Sequence, residues 1–572
     1  MDKAILAQYT IRSKQSYIFR TNRLVEITGA SAIIRDTFAR LFDRARECET
    51  EEGQKVIAMR VGESTQIGKS GGNSDSTGSS ERFSLDTVRE KFRTDGENRP
   101  DRAELDMVEL FEGGGNDTVL FRNADVFRKV NARYTKWILE TYPGLLPLCV
   151  GIPVDLSENN YQADFSRLMR ALEEEKNRML PGRGGTALPF AMMDRNTFLP
   201  LGKITSIGGE TKELSDESWR KYLAGDREGK ADPSVKILDD MTRDENSLLA
   251  IVHADGNNMG IKIEKKIKIQ KKLGSHTDYD FRVNTMRQLT RDIDSAFQNG
   301  KALLMKRRGE LLEKDRSAFE KRQEGKSRPE PYPSKREDSF AVRWLVSSGD
   351  DATFICNARD ALELTKAYLQ GVSDYRSPED PEERYSSCAG ICVFHSHYPF
   401  ARAYDLAEDA CDNAKKPVHD SVSRTEDTVF ALEQGWVDFH YIHSGAGGDL
   451  KEIRALHQTE KRMLRPWMVC GQMSERGESA KLETMDNLAH ILRRYRVSRG
   501  NIKTFGAVYE ADPEQGKLEW DRICYHTAGL REDVRALFPD APDDLVPDNL
   551  LRTLYDVADI YDLWYREEAE ST

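Results

Sequence analysis

An apolar run, Leu248 to Val252, leads into a loop from His253 to Gly260, and a second apolar stretch is broken by Ser348, Gly349, Asp350 and Asp351. Carboxylates at a strand end and at a hairpin tip are hard oxygen donors, and two neighbouring strands can bring them to a shared pair of divalent cations about 4 Å apart. Such a pair suits phosphodiester synthesis, since one ion acidifies an attacking hydroxyl while the other neutralises a leaving pyrophosphate. Asp255, Asp350 and Asp351 are therefore expected to be catalytic and to hold two Mg2+ or Mn2+ ions. Gly256 and Asn257 continue that loop, where a backbone carbonyl could add a ligand. Gly349 lets the tip turn tightly and lets backbone approach phosphate. Ser348, Gly349, Asn258 and Lys415 are expected to contact nucleotide. Two plainer readings stand beside these: Ser348 to Asp351 as an ordinary polar turn, and Lys415 as a cation complementing a helix C-terminus.

The elements that would position these residues occur twice. Glu109 to Phe121 and Trp344 to Cys356 both read as apolar strand, glycine-containing tip, threonine and apolar strand, the pattern of a hairpin. Cys149 to Val154 then matches Cys388 to Val393, and the same offset carries Lys176 onto Lys415. Three matches in order imply a duplicated domain of strand, helix, hairpin, helix, strand and helix, close to the ferredoxin-like pattern. With Thr118 laid on Thr353, Gly115 and Asn116 fall where the second copy has Asp350 and Asp351, so the first copy lacks the ligands. The stretch 62–102 is rich in Ser, Gly, Asp and Arg and is expected to be a mobile insert. Helical periodicity in Asn487 to Tyr495 and Leu550 to Trp564 marks a mainly helical C-terminal region.

Composition narrows the alternatives. A chain of 572 residues should hold about three domains. The eight cysteines are scattered, without the paired spacing of a zinc ribbon. No apolar run approaches the ~20 residues that span a bilayer, and no signal peptide opens the chain, so a cytoplasmic location is expected. A net charge of −12 argues against a protein coated by nucleic acid, although Lys262 to Lys272 forms a local basic run. Gly62 to Ser70 imitates a phosphate-binding P-loop, but five residues separate its glycines where four are required. His395 and His397 share a strand face with no third ligand in view.

Taken together, Gln15 to Phe19, Glu26 to Ala32, Gly113 to Asn116, His253 to Gly260, Ser348 to Asp351, Cys388 to Pro399, Ala414 with Lys415, and Leu464 to Trp467 resemble the CRISPR polymerase family, the large polymerase/cyclase subunit of type III CRISPR effector complexes. The resemblance implies an α+β chain with two ferredoxin-like palm domains: a degenerate one at 1–200 and a catalytic one at 245–436, followed by a helical C-terminal domain at 437–572. It implies ATP converted to cyclic oligoadenylates. Guide RNA, CRISPR effector subunits and a second copy of the chain are the expected partners, and no membrane is expected. Serine stands at Ser348 where the family usually has glycine, and Asn257 stands where Asp is common. No HD nuclease domain is recognised, so DNA cleavage is not expected. A catalytically silent scaffold and a GTP-using dinucleotide cyclase are the alternative readings.

Overall fold

Two sheets organise the protein in a computed structural model that describes residues 3–51, 53–61, 82–93, 104–179, 191–207, 209–231, 238–243, 247–260, 262, 278–324, 326, 328–424, 433–443, 447–456, 459–471, 480–538 and 547–565. The chain divides into two units, Met1–Asp232 with Asn258–Asp294, and Pro233–Asn257 with Ser295–Thr572. Among the described residues no helix is long and apolar enough to cross a membrane.

The first unit holds a five-stranded sheet in the order β2-β3-β4-β1-β5, made of β1 (Ala4–Arg12), β2 (Ala58–Met59), β3 (Met107–Gly113), β4 (Asn116–Phe121) and β5 (Leu146–Val154). Helices α1 (Leu24–Glu47), α2 (Leu85–Phe92), α3 (Ala124–Thr141) and α4 (Tyr161–Arg178) accompany it. Alternation along the strands puts Leu6, Val108, Leu110 and Leu120 into one core with Leu168 of α4. A two-stranded sheet, β6 (Leu201–Ile207) and β7 (Glu210–Ser215), precedes α5 (Asp216–Ala231), which packs on α1. The two helices touch backbone to backbone: a Cβ on Gly29 would stand 1.8 Å from the Lys221 carbonyl oxygen, so only glycine fits there.

The second unit holds a six-stranded sheet in the order β13-β12-β11-β8-β10-β9. Its strands are β8 (Leu248–Gly256), β9 (Arg343–Ser348), β10 (Asp351–Asn357), β11 (Ser387–His395), β12 (Gly435–Tyr441) and β13 (Trp467–Cys470). Helix α6 (Tyr279–Gln323) precedes β9, α7 (Ala361–Asp374) joins β10 to β11, and α8 (Phe400–Arg424) follows β11. The four-strand cores β3-β4-β1-β5 and β9-β10-β8-β11 have the same order and the same antiparallel pairing. Further on, helices at Leu482–Arg494, Arg499–Ala511, Pro513–Tyr525 and Asp548–Ile560 dominate, with Leu488, Phe505, Trp520 and Leu554 buried.

Several expectations need correction. The second sheet does not stop at 436: β12 spans that boundary and pairs in parallel with β11, and β13 adds to β12. Within 62–102, residues 82–93 are not a mobile insert but carry α2, capped by Ser84 and buried at Phe83, Leu85 and Val88. Residues 62–81 and 94–103, including the P-loop imitation, lie outside the described residues, as does the basic run except for the buried Lys262. The strand register sets Leu148 opposite Thr10 and Cys388 opposite Asp255, so Leu148, one residue before Cys149, is the counterpart of Cys388. Finally, α8 does not end at Lys415 but continues through Pro417.

Candidate active site

Strand β8 is longer than its apolar run, because the ladder with β10 continues past Val252. Asp255 therefore sits in the strand rather than in the loop after it, directly opposite Asp351, and His253 lies opposite Thr353. Directly opposed residues of an antiparallel pair point to the same face, so Asp255, Asp351, His253 and Thr353 share one. The tip between β9 and β10 is two residues, Gly349 and Asp350, with Gly349 at φ 60, the left-handed sense that tight hairpins require. The backbone N–H of Gly256 donates to the Asp350 carbonyl at 3.0 Å and latches the tip to the end of β8. Ser348 closes β9 opposite Asp351.

Helix α8 packs on β11 and β8, and its approach needs Gly390, where a Cβ would stand 2.0 Å from the Ala407 carbonyl oxygen. Spacings of four, three and four residues place Tyr404, Glu408, Cys411 and Lys415 on one helix stripe. The Tyr404 ring meets the His253 ring edge to face at 5.5 Å, Cys411 Sγ donates to the Cys388 carbonyl, and Lys415 Nζ bonds Asp255 Oδ2.

The electrostatics are uneven. Burial, followed by the charges of Asp255, Asp350 and Glu408, pushes the Asp351 carboxyl up to about 7, with Lys415 opposing. One Asp351 oxygen, Oδ1, is buried without a hydrogen-bond partner, while the side chain as a whole is 36% exposed, so the remainder of the carboxylate faces solvent. His253 Nδ1 stands 3.1 Å from Thr353 Oγ1 and 3.6 Å from Asp351 Oδ1. Burial holds the His253 imidazole down at about 4, hence neutral, with Asp255 opposing and Lys415 reinforcing. Lys415 is raised: although burial disfavours its charge, Asp255 more than offsets this.

Other expected site residues are placed differently. Asn257 is 1% exposed and donates from Nδ2 to Ser386 Oγ at 2.9 Å and to the Gln434 carbonyl at 2.7 Å. It fastens the chain after β8 to its neighbours in the second unit. Asn258 falls in the first unit, at φ 52, with Nδ2 buried and unpartnered. In the first unit, the register that holds Asp255 and Asp351 in the second holds Thr10 and Asn116, and Lys14 Nζ donates to the Gly115 carbonyl at 2.6 Å. His253 and Glu408 were missed from the sequence; the helix stripe that ends at Lys415 was the signal for Glu408.

Among the described residues, no three His, Cys, Asp or Glu side chains are already drawn together as a ligand cage. The residues nonetheless suit a hard dication, because the donors are all carboxylate oxygens and the buried Asp351 Oδ1 lacks a partner.

Residues 248–423 match the family model of the Cas10/Cmr2 second palm domain. A palm domain is present, and the likeness to the type III CRISPR polymerase/cyclase subunit holds. The match covers the paired carboxylates, the hairpin and α8 through Lys415 to residue 423. Similar solved structures include Csm1 in T. onnurineus, with 13% identity, TM-score 0.43, and coverage of 97% of this chain and 69% of that one. Others are the Csm1-Csm4 cassette in complex with cA4, at 11% identity and TM-score 0.42 over 97% and 69%, and with AMPPNP, at 12% and 0.41 over 97% and 70%. Comparison with curated proteins gave no match.

Proposed function

We propose that the palm at 248–423 is a metal-dependent nucleotidyltransferase that converts ATP to cyclic oligonucleotides in a CRISPR-type defence system. The observation that carries this reading is the pairing of Asp255 with Asp351 on adjacent strands, next to a tight tip bearing Asp350. Asp255, Asp350 and Asp351 would hold Mg2+ or Mn2+, which when bound supplies charge neutralisation at a triphosphate and acidifies a ribose hydroxyl. Lys415, a mobile point charge within reach of Asp255, is suited to triphosphate oxygens, and the tip at Gly349 admits phosphate close to backbone. Neutral His253 restrains Thr353 and the buried side of Asp351 without adding charge. In this reading the first sheet, with Thr10 and Asn116 in place of the carboxylates, is a degenerate palm, and the helical C-terminal region is a third domain.

The test is incubation of the purified chain with each NTP and Mg2+ or Mn2+, with and without RNA, followed by pyrophosphate measurement and mass spectrometry of products. Cyclic oligoadenylate from ATP, lost in Asp350→Ala with Asp351→Ala, is expected. Absence of pyrophosphate under every condition, or undiminished release in that variant, overturns the reading, and a GTP product would replace the assigned base.

A further inference from the structure

The contact between Lys415 and Asp255 does more than place a cation near a triphosphate. Lys415 comes from α8, whose close seat on β11 at Gly390 fixes where its stem begins. Its side chain is 16% exposed and that of Asp255 34%, so the pair sits where water screens charge only in part. The ammonium is thus already seated on a carboxylate that a dication would need.

We propose that Lys415 is a built-in counter-ion that occupies Asp255 until a triphosphate draws the ammonium away, so that cation and nucleotide enter this site together. The proposal rests on the reading of Asp255 as a metal ligand. A dication approaching Asp255 meets both a satisfied carboxylate and a like charge, and must displace or repel Lys415. A triphosphate offers the ammonium several oxygens, and the long flexible stem with three rotatable donors allows the exchange. Once Lys415 has moved, the Asp255 carboxylate is left without its counter-ion just as the metal–nucleotide pair arrives. Linkage makes the effect reciprocal: the factor by which nucleotide tightens the cation equals the factor by which the cation tightens nucleotide. The charges of Asp350 and Glu408, which act on Asp351 beside that of Asp255, favour the same dication.

The test uses the full chain and Mn2+ alone as probe, with free Mn2+ measured by electron paramagnetic resonance. Lys415→Met is expected to bind Mn2+ about tenfold more tightly than the natural chain, equivalent to about 1.4 kcal/mol. Lys415→Gln, which also lacks charge but keeps a polar end, should show the same gain and covers the case in which the methionine variant does not fold. A non-hydrolysable ATP analogue should tighten Mn2+ binding in the natural chain and do so much less in either variant. Loss of binding in Asp255→Asn, without a gain in either Lys415 variant, overturns this inference alone. Unchanged Mn2+ binding in Asp255→Asn overturns the carboxylate site itself and this inference with it.

Discussion

Replacing Asp351 by Asn should stabilise the second unit at pH 8 while ending its proposed chemistry. Burial first, then Asp255, Asp350 and Glu408, raises the Asp351 carboxyl from 3.8 to about 7, against the opposing charge of Lys415. A raised carboxyl pKa means that the folded state favours the protonated form. The resulting destabilisation is absent below the ordinary value, grows as pH rises through the window from about 4 to 7, and is complete at pH 8. About three pH units at 1.36 kcal/mol each set a ceiling of about 4 kcal/mol. Because the side chain is 36% exposed, water screens these charges, and a gain of about 1 kcal/mol is the discounted expectation. In a unit of this size that is a rise of about 2 °C in Tm. Neutral His253 on β8 and the Tyr368 phenol on α7, itself held protonated by burial and by these carboxylates, add no competing charge in this range. Thermal unfolding in EDTA, at pH 8 and pH 5, measures the effect, which should shrink to roughly a third at pH 5. Equal gains at both pH values, or a loss at pH 8, would refute the account of a carboxyl raised by burial and by its like-charged neighbours.

Three further outcomes follow from the packing. Gly390→Ala would push the Ala407 carbonyl and the Cys411 amide away from β11, so a loss of about 3 kcal/mol in urea denaturation is expected, together with weakened nucleotide binding as Lys415 shifts. Arg454→Met strands the fully buried Asp438, now held by bonds of 2.7 and 3.0 Å, and should cost about 3–5 kcal/mol; adding Asp438→Leu should recover much of that in the same assay. Leu85→Ala, at a side chain 1% exposed in the first core, should cost about 2–4 kcal/mol, and an unchanged urea midpoint would show that α2 contributes nothing.

The hairpins were legible because a glycine tip between apolar strands is a local signal, and the repeated order of elements exposed the two matching sheet cores. What the sequence concealed depends on pairing. Asp255 read as a loop residue because polarity ends the apolar run at Val252, whereas the ladder to β10 and β11 carries the strand through Gly256. The one-residue slip at Cys149 has the same origin: similar side chains can be aligned, but only hydrogen bonds set register. Strands β12 and β13 were absorbed into the helical region because two short strands are a weak signal beside long amphipathic helices. Helix α2 was hidden by its Ser- and Asp-rich surroundings, although Leu85, Val88 and Phe92 keep helical spacing. His253 read as the first residue of the loop after the apolar run, and only the positions of Thr353, Asp351 and Tyr404 give it a role.

The central claim is that Asp255 and the hairpin carboxylates share a divalent cation. Anomalous diffraction from crystals of the chain grown with Mn2+ and a non-hydrolysable ATP analogue tests it most directly. A Mn2+ peak within about 2.5 Å of both Asp255 and Asp351 oxygens, with Lys415 moved onto phosphate, is the result predicted. Nucleotide and Mn2+ bound elsewhere, with Lys415 still on Asp255, would contradict it.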